Sequence, residues 1–492
     1  MRQQLTKARW ALVLCAALAG CAIPASAQAA PALPVAHAGR WITDARGRVV
    51  ILHGTNMVYK LAPYYPAAAG FDAKDAAFLR SNGFNAVRVG IIWKAVEPQP
   101  GLYDDAYIEQ IEQTVALLAR RKIVSLLDFH QDMYNEKYQG EGFPDWSVQD
   151  DGLPNEPQAG FPNNYFVNPA LQRAFDNFWA NRPGPDGAGL QDHYATAWAH
   201  VAQRFASNPN VLGYEILNEP FMGSEYPTCA NTEGCPLFDE KLSAFYRKVN
   251  EAIRAVDAHT LMWYEPNVAF NFGANTHVSA PGPSSGFAFH DYCLANEEGG
   301  CPTHEITMNN ADKYVAGSGD ALLMDEWGAT NSFSDLETMV SLADEHMLPW
   351  TEWAYCLCGD PTTASQNQGI VQEASMPPSG KNLNAGTLEA LVEPYPQLIS
   401  GTPLSWSFDR ESATFSLRYS TRSADGTRSF RSASITQIAT PRLSYPSGYA
   451  VQVSGGRAVS KPGARLLSVR SCPGASEVAV TVAPGIAPSQ GC

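Results

Sequence analysis

Two glutamates define the chemistry open to this chain. Glu219 closes the apolar run Val211–Leu217 within Asn218-Glu219-Pro220, and Glu326 closes a second run, Ala321-Leu-Leu-Met-Asp-Glu326-Trp-Gly. Proline cannot donate to a sheet ladder, so the first run stops there and leaves Glu219 at a strand's carboxyl end. In a parallel α/β barrel that rim carries the reacting groups. Carboxyl groups paired across two strand ends suit retaining glycoside cleavage, one as nucleophile and the other as acid and then base. The division of labour needs surroundings that push the two pKa values apart. Asn218, beside Glu219, supplies an amide for a sugar 2-hydroxyl. Arg88, His290 and Tyr292 are candidate donors to keep Glu326 ionised, and Trp353 offers a flat face for a sugar ring.

These side chains need strands to carry them, and apolar runs recur along the chain. Val49–Leu52 runs into His53-Gly-Thr-Asn56, Asn85–Ile92 ends near Trp93, and Ile123–Leu127 leads into Asp128-Phe-His130-Gln-Asp132. The Val211 run is the fourth. Leu261–Tyr264, Phe287–Phe289 (ending in His290-Asp-Tyr292), the Ala321 run and Leu348–Tyr355 complete eight. Helices lie between most of them; Asp104–Arg121, for instance, aligns Ile108, Ile111, Val115 and Leu118 on one face. Eight such units predict a (β/α)8 TIM barrel. Pro266–Ser285 offers no convincing helix, so one unit is irregular. Gln131–Asn168 is a long aperiodic loop, a feature usually tied to function.

After about Pro396 the texture changes to short alternating segments. Leu404–Phe408, Ala413–Tyr419, Ser429–Ser434, Ala450–Ser454 and Glu477–Val482 predict a C-terminal antiparallel β-sandwich. Ahead of the barrel, Trp41–Asp44 and Arg48–Leu52 read as a hairpin turning at Ala45-Arg-Gly47. The chain thus divides into a signal peptide (1–27), a leader (28–40), the barrel (41–395) and the sandwich (396–492).

A net charge of −15 argues against a nucleic-acid partner, which would need a basic face. Solubility is a sufficient reason for it. Arg2, Lys7 and Arg9 precede the apolar run Trp10–Gly20 and the small-residue cleavage signal Ala25-Ser-Ala27, the pattern of an export signal. Leu18-Ala-Gly-Cys21 also fits a lipobox, in which Cys21 would carry lipid. The expectation is export, by free secretion or by anchoring at the bacterial cell envelope through Cys21. No transmembrane segment is expected, because no run reaches the ~20 apolar residues one needs. Without Cys15 and Cys21 eight cysteines remain, an even set suited to an oxidising compartment. Cys229/Cys235, Cys293/Cys301 and Cys472/Cys492 are natural short-loop pairs. Cys356 and Cys358 are left over, and other pairings stay open.

As an ensemble these residues resemble the family-five retaining glycosidases. The resemblance is carried by Asn218-Glu219-Pro220, a second Glu 107 positions on, Arg88 in Asn-Ala-Val-Arg-Val, His130, the His290/Tyr292 pair and Trp353, in matching order. A finer resemblance is to the endoglycoceramidases. It rests on His53-Gly-Thr-Asn-Met-Val-Tyr-Lys60, Asp128-Phe-His-Gln-Asp132, Tyr214-Glu-Ile-Leu-Asn-Glu-Pro-Phe221 and the trailing sandwich. That resemblance implies cleavage between the oligosaccharide and the ceramide of a glycosphingolipid held in micelles or at a membrane surface. Both products would leave intact. It implies Glu219 as acid/base and Glu326 as nucleophile. It also implies that Lys60 and Asp132 hydrogen-bond the glucose next to ceramide, with Trp179 joining them, and that no metal or organic cofactor takes part.

Plainer readings stand beside this one. Glu219 and Glu326 can be a structural pair of ion-paired carboxylates, though their company argues against it. His130 and His290 suit support of the site as well as substrate contact, Arg88 suits the orientation of carboxylates, and Lys60 can be a solvated lysine. Trp93, Trp146 and Trp179 can be ordinary packing. Among the other acids near strand ends, alternation turns Glu215 and Glu352 away from the pocket and leaves Glu265 as the decoy. The Gln131–Asn168 loop, with Tyr226 and the Leu357 region, either lines a slot for two lipid chains or packs on itself. Rival activities are an exo-acting glucosylceramidase or steryl β-glucosidase and a cellulase-like endoglucanase. Outside enzymes, the rival is a catalytically silent carbohydrate-binding protein. A monomer is expected.

Overall fold

The computed structural model describes residues 30–293, 301–363 and 368–492, so the export signal and Cys21 lie outside it. Three short strands come first: β1 (Val35–Ala38), β2 (Trp41–Asp44) and β3 (Val49–Val50). Eight parallel strands then close a barrel. They are β4 (His53–Met57), β5 (Ala86–Ile91), β6 (Val124–Phe129), β7 (Val211–Glu215), β8 (Leu261–Tyr264), β9 (Ser285–Asp291), β10 (Ala321–Trp327) and β11 (Trp350–Glu352). Helices cover the outside while side chains fill the inside, so both faces are buried and most strands read as continuous apolar runs.

The first barrel strand is His53–Met57, not the Val49–Leu52 run before it. Val49 and Val50 pair instead with Ile399 and Leu398 in another sheet. A short β-branched run announces a strand without saying which sheet will take it. The lower barrel is plugged by the Trp263 indole, which lies against Gly213 and Gly286; a Cβ at either glycine would come within 2.4 Å of the ring. The catalytic layer rests on this floor.

Two loops depart from regular structure. Between β8 and β9 there is only a short 3-10 turn, Val268–Phe272, the irregular unit anticipated above. The Gln131–Asn168 loop packs largely on itself. Tyr134 stacks on Phe143 with ring centres 4.0 Å apart, and the Met133 N–H donates to the Tyr165 hydroxyl at 2.7 Å. The sandwich is built from β12 (Tyr395–Ile399), β13 (Thr402–Asp409), β14 (Thr414–Ser420), β15 (Ile435–Ala439), β16 (Ala450–Ser454), β17 (Gly456–Ala458), β18 (Leu466–Ser471) and β19 (Glu477–Ala483). One sheet runs β1-β2-β3-β12-β15-β18-β17 and the other β13-β14-β19-β16.

The N-terminal hairpin therefore shares a sheet with the C-terminal strands. Ser429–Ser434 is loop; the strand is the next segment, Ile435–Ala439, whose uniform burial gives no alternation to read. Trp406 joins the two units by donating Nε1–H to Asp344 Oδ1 at 2.5 Å, on the barrel helix Phe333–Glu345. Disulfides link Cys229–Cys235, Cys293–Cys301, Cys356–Cys358 and Cys472–Cys492. Among the described residues no helix is long and apolar enough to cross a membrane.

Candidate active site

Arg88, on β5 and wholly buried, is the hub around which the carboxylates gather. Its Nη1 donates to Glu326 Oε2 at 2.8 Å and to Asn56 Oδ1 at 3.0 Å. Nη2 donates to Asn218 Oδ1 at 2.7 Å, and Nη2 and Nε together fork onto Glu215. This pairing corrects the expectation that Glu215 faces away. Alternation holds along β7 to Glu215, which points inward. The chain then leaves the strand, and Glu219 takes the left-handed region at φ 43°. Strand parity therefore does not extend through the turn to Glu219. A second irregularity serves β10, where the register against β9 slips between Met324 and Glu326. The slip lets neighbours Asp325 and Glu326 both approach Arg88, at 3.7 and 2.8 Å, as a bulge re-aims side chains.

The two glutamates meet across this hub, with an oxygen of each within 4.8 Å of the other. Retaining cleavage uses carboxyl groups about 5 Å apart, whereas inversion needs about 6.5–9.5 Å to admit a water. Their partners differ. Glu326 takes Arg88 on Oε2 and the Tyr292 hydroxyl on Oε1 at 2.8 Å. Glu219 takes the Asn271 amide on Oε1 at 2.6 Å, with His290 Nδ1 2.9 Å from the same oxygen. Burial, then the charge of Asp132, lifts Glu219 to about 7. Burial lifts Glu326 as well, and the Arg88 guanidinium opposes it. Burial brings His290 down to about 4, leaving its ring neutral. Glu219 and Glu326 keep 8% and 6% of their surface, so both reach the mouth of the barrel.

Beside the pair lies a polar clamp. Lys60 Nζ donates to Asp132 Oδ2 at 2.5 Å and to Thr362 Oγ1 at 2.7 Å, and stands 4.3 Å above the Trp353 ring. His130 stacks on the same indole at 5.3 Å and sets Nδ1 2.8 Å from Asp128. Burial works against charge on His130, yet Asp128 and Asp132 raise it to about 10 and make it an imidazolium. Among the described residues, three groups of His and carboxylate side chains have metal-like spacing: Glu219/His290/Glu326, Glu215/Glu265/His290/Asp325 and His130/Asp132/Glu141. Each already holds Arg88 or Lys60 against one of its acids, so these side chains are members of ion-pair networks.

The family described as "Cellulase (glycosyl hydrolase family 5)" matches residues 43–358, the segment that carries both glutamates and Arg88. The chain belongs to glycoside hydrolase family 5. The "Glycoside hydrolase family 5 C-terminal domain" matches residues 394–482. Endoglycoceramidase I of Rhodococcus hoagii is 33% identical over 450 residues, covering 88% of this chain and 84% of that protein. An endoglycoceramidase of Cyanea nozakii is 27% identical, covering 84% and 85%. Endo-glycoceramidase II from Rhodococcus sp. in complex with ganglioside GM3 superposes with a TM-score of 0.74 at 29% identity, covering 91% of this chain and 99% of the other. A lactosyl-enzyme intermediate of that protein superposes with a TM-score of 0.72 at the same identity, covering 89% and 98%. This family 5 enzyme is a retaining, endoglycoceramidase-like glycoside hydrolase.

Within it, the anticipated residues Glu219, Glu326, Arg88, Asn218, His290, Tyr292, Lys60, Asp132, His130 and Trp353 converge. For Trp179 the structure shows packing and one hydrogen bond. Its indole donates to the Phe221 carbonyl at 2.8 Å and packs edge-on against Phe238 and Phe245, bracing the chain just after Glu219. Four contributors escaped sequence reasoning. Asn271 sits on the 3-10 turn of the irregular unit. Thr362 and Asp360, the latter 3.3 Å from Lys60 Nζ, follow the last strand with no periodicity to mark them. Gln131 Nε2 donates to the carbonyls of Asn218 and Glu219 at 3.1 and 3.2 Å, holding their turn. Glu265, set aside as a decoy, is in the site: its Oε2 accepts the Glu219 N–H at 3.1 Å.

Proposed function

We propose that this enzyme hydrolyses the bond between the oligosaccharide and the ceramide of glycosphingolipids, releasing glycan and ceramide intact. Glu326 attacks the anomeric carbon while Glu219 protonates the leaving oxygen, then deprotonates the water that releases the sugar. The observation that carries the reading is the Lys60–Asp132–Thr362 clamp beside Trp353. It sets a cation, an anion and a hydroxyl around one aromatic face, next to the acid. Such a site grips a sugar ring by face and edge, and an enzyme cutting behind that sugar needs this grip at the point of cleavage. Apolar side chains around the mouth support an amphiphilic substrate. Leu61, Leu153, Phe166, Val167, Leu237 and Ile306 all follow barrel strands at the catalytic end and are exposed. Self-packing of the Gln131–Asn168 loop leaves Phe166 and Val167, rather than its buried tyrosines, to meet a lipid.

Export is part of the reading, by free secretion or through Cys21; four disulfides favour an oxidising compartment. Mass spectrometry of products from a lactosyl- or ganglioside-type ceramide in detergent tests the substrate. Ceramide plus an intact oligosaccharide is the expected result. Release of a terminal monosaccharide alone would replace the reading with an exo-acting glycosidase. Cleavage of cello-oligosaccharides without action on the lipid would remove the ceramide from it.

A further inference from the structure

Glu265 lies just past the end of β8 and is 1% exposed, with no direct path to substrate. Its Oε2 accepts the backbone N–H of Glu219 at 3.1 Å and stands 3.4 Å from His290 Nε2. That ring nitrogen is buried and without a hydrogen-bond partner, and the Glu265 oxygen is the nearer of the two carboxyl oxygens facing it. The other ring nitrogen, Nδ1, faces Glu219 Oε1 at 2.9 Å, on the oxygen that also receives the Asn271 amide. A neutral imidazole donates from one nitrogen and accepts at the other, so whatever faces Nε2 decides what Nδ1 does.

We infer that Glu265 is a positioning residue which, as a neutral carboxyl donating to His290 Nε2, fixes the hydrogen on Nδ1. Nδ1–H and the Asn271 amide then both donate to Glu219 Oε1. With two donors on Oε1, the acidic proton of Glu219 resides on Oε2, the oxygen with no hydrogen-bond partner among the described residues. No hydrogen moves in the resting state; the chain of donors only selects which oxygen is acidic.

The surroundings supply the neutral carboxyl. Facing Glu265 and His290 are Arg88 from β5, Glu215 from β7, Asp325 and Glu326 from β10, and Glu219 itself. Burial, with Glu215 and Asp325 close by, holds the Glu265 carboxyl far above the usual carboxylate range. Asp325, 3.7 Å from His290 Nε2, is the competing donor. Glu265 differs from it in also receiving the Glu219 N–H. One hydroxyl-type oxygen can both donate to Nε2 and accept that N–H; an amide oxygen can only accept, and an amide nitrogen only donate.

Glu265→Gln therefore keeps size and burial while losing the dual role. With its oxygen against the Glu219 N–H it turns His290 to the Nε2–H tautomer. Nitrogen-15 NMR of histidine-labelled enzyme reads the tautomer directly, with the His290 signal identified by its loss in His290→Asn. Native enzyme is expected to carry the hydrogen on Nδ1 and the Gln variant on Nε2. In kinetics the variant should lose ~10- to 100-fold in kcat/KM on a substrate with an alkoxide leaving group, and less than about threefold on a dinitrophenyl glycoside that needs no proton. An Nε2–H tautomer in the native enzyme overturns the inference. So does a native Nδ1–H tautomer that persists in Glu265→Gln with unchanged kinetics, which makes Asp325 the donor. Equal losses on both substrates reduce Glu265 to a structural role and overturn it as well.

Discussion

Replacing Tyr292 by Phe removes a single O–H from the site and measures what keeps Glu326 charged. The hydroxyl donates to Glu326 Oε1 at 2.8 Å while Arg88 holds Oε2, so the variant leaves the carboxylate one partner. Burial raises the phenol far above its ordinary range, so it remains a donor throughout the working pH. A hydrogen bond to a charged group is worth ~1.5–3 kcal/mol. At ~1.4 kcal/mol per pKa unit, its loss lifts Glu326 by about one to two units. The sign follows from the role: the nucleophile must be ionised, and removing a donor to its charged form favours the neutral one. The acid limb of kcat/KM should therefore move up by about one to two pH units. The basic limb, which belongs to Glu219 near pH 7, should stay. With the limbs converging, the maximum should also fall, by about fivefold at most. The assay is the pH profile of kcat/KM on a soluble aryl β-glycoside. An acid limb that does not move would refute the claim that this hydrogen bond holds the charge. A shift of the basic limb instead would mean that the two carboxyl roles are reversed.

The other predictions probe the same network. Glu326→Ala should abolish hydrolysis, and added azide should restore turnover with a glycosyl azide of inverted configuration; undiminished turnover without azide would remove Glu326 as nucleophile. Asp132→Asn deletes a negative charge that raises Glu219, so the basic limb should move to lower pH, while burial keeps it above the ordinary glutamate value. A limb that rises would contradict this sign. Arg88→Met strands several buried carboxyls without their cation and should cost about 3–5 kcal/mol of stability, read as a lower unfolding midpoint in urea. An unchanged midpoint would show that those acids are neutral without Arg88.

The barrel was legible because its strands obey one rule: apolar runs bounded by turn residues, each ending in a polar group at the rim. Glu219, Glu326, Tyr292 and Trp353 all follow it. What escaped sequence reasoning breaks periodicity. Glu215 was misdirected because strand parity was carried through a turn in which Glu219 has positive φ. Asp325 and Glu326 point the same way only because β10 slips its register, and a one-residue slip leaves no mark in composition. Asn271, Asp360 and Thr362 sit where no helix or strand sets a pattern. The first barrel strand was displaced by a few residues for a different reason. Val49 and Val50 look like barrel core, but their partners, Leu398 and Ile399, lie about 350 residues away in the chain, a pairing set by tertiary structure alone.

The identity of each catalytic carboxyl follows from its distance to one guanidinium. Arg88 lies within 3.7 Å of Asp128, Glu215, Glu265, Asp325 and Glu326, and even with the His130 imidazolium beside Asp128 two cations cannot neutralise five buried anions. Burial and mutual repulsion must keep some of them protonated. Glu215, forked onto the guanidinium, is drawn down to about 2, whereas Glu265 and Asp325, at the edge of its reach, are held far above the carboxylate range. The catalytic pair repeats this division. Glu326 touches Arg88, which opposes the rise that burial imposes on it; Glu219, among the described residues, has an amide and an imidazole on its oxygen, and is lifted to about 7. Acid and nucleophile are chemically the same side chain. Arg88 touches one and not the other, and Asp132 lies nearer the second; these neighbours set them apart.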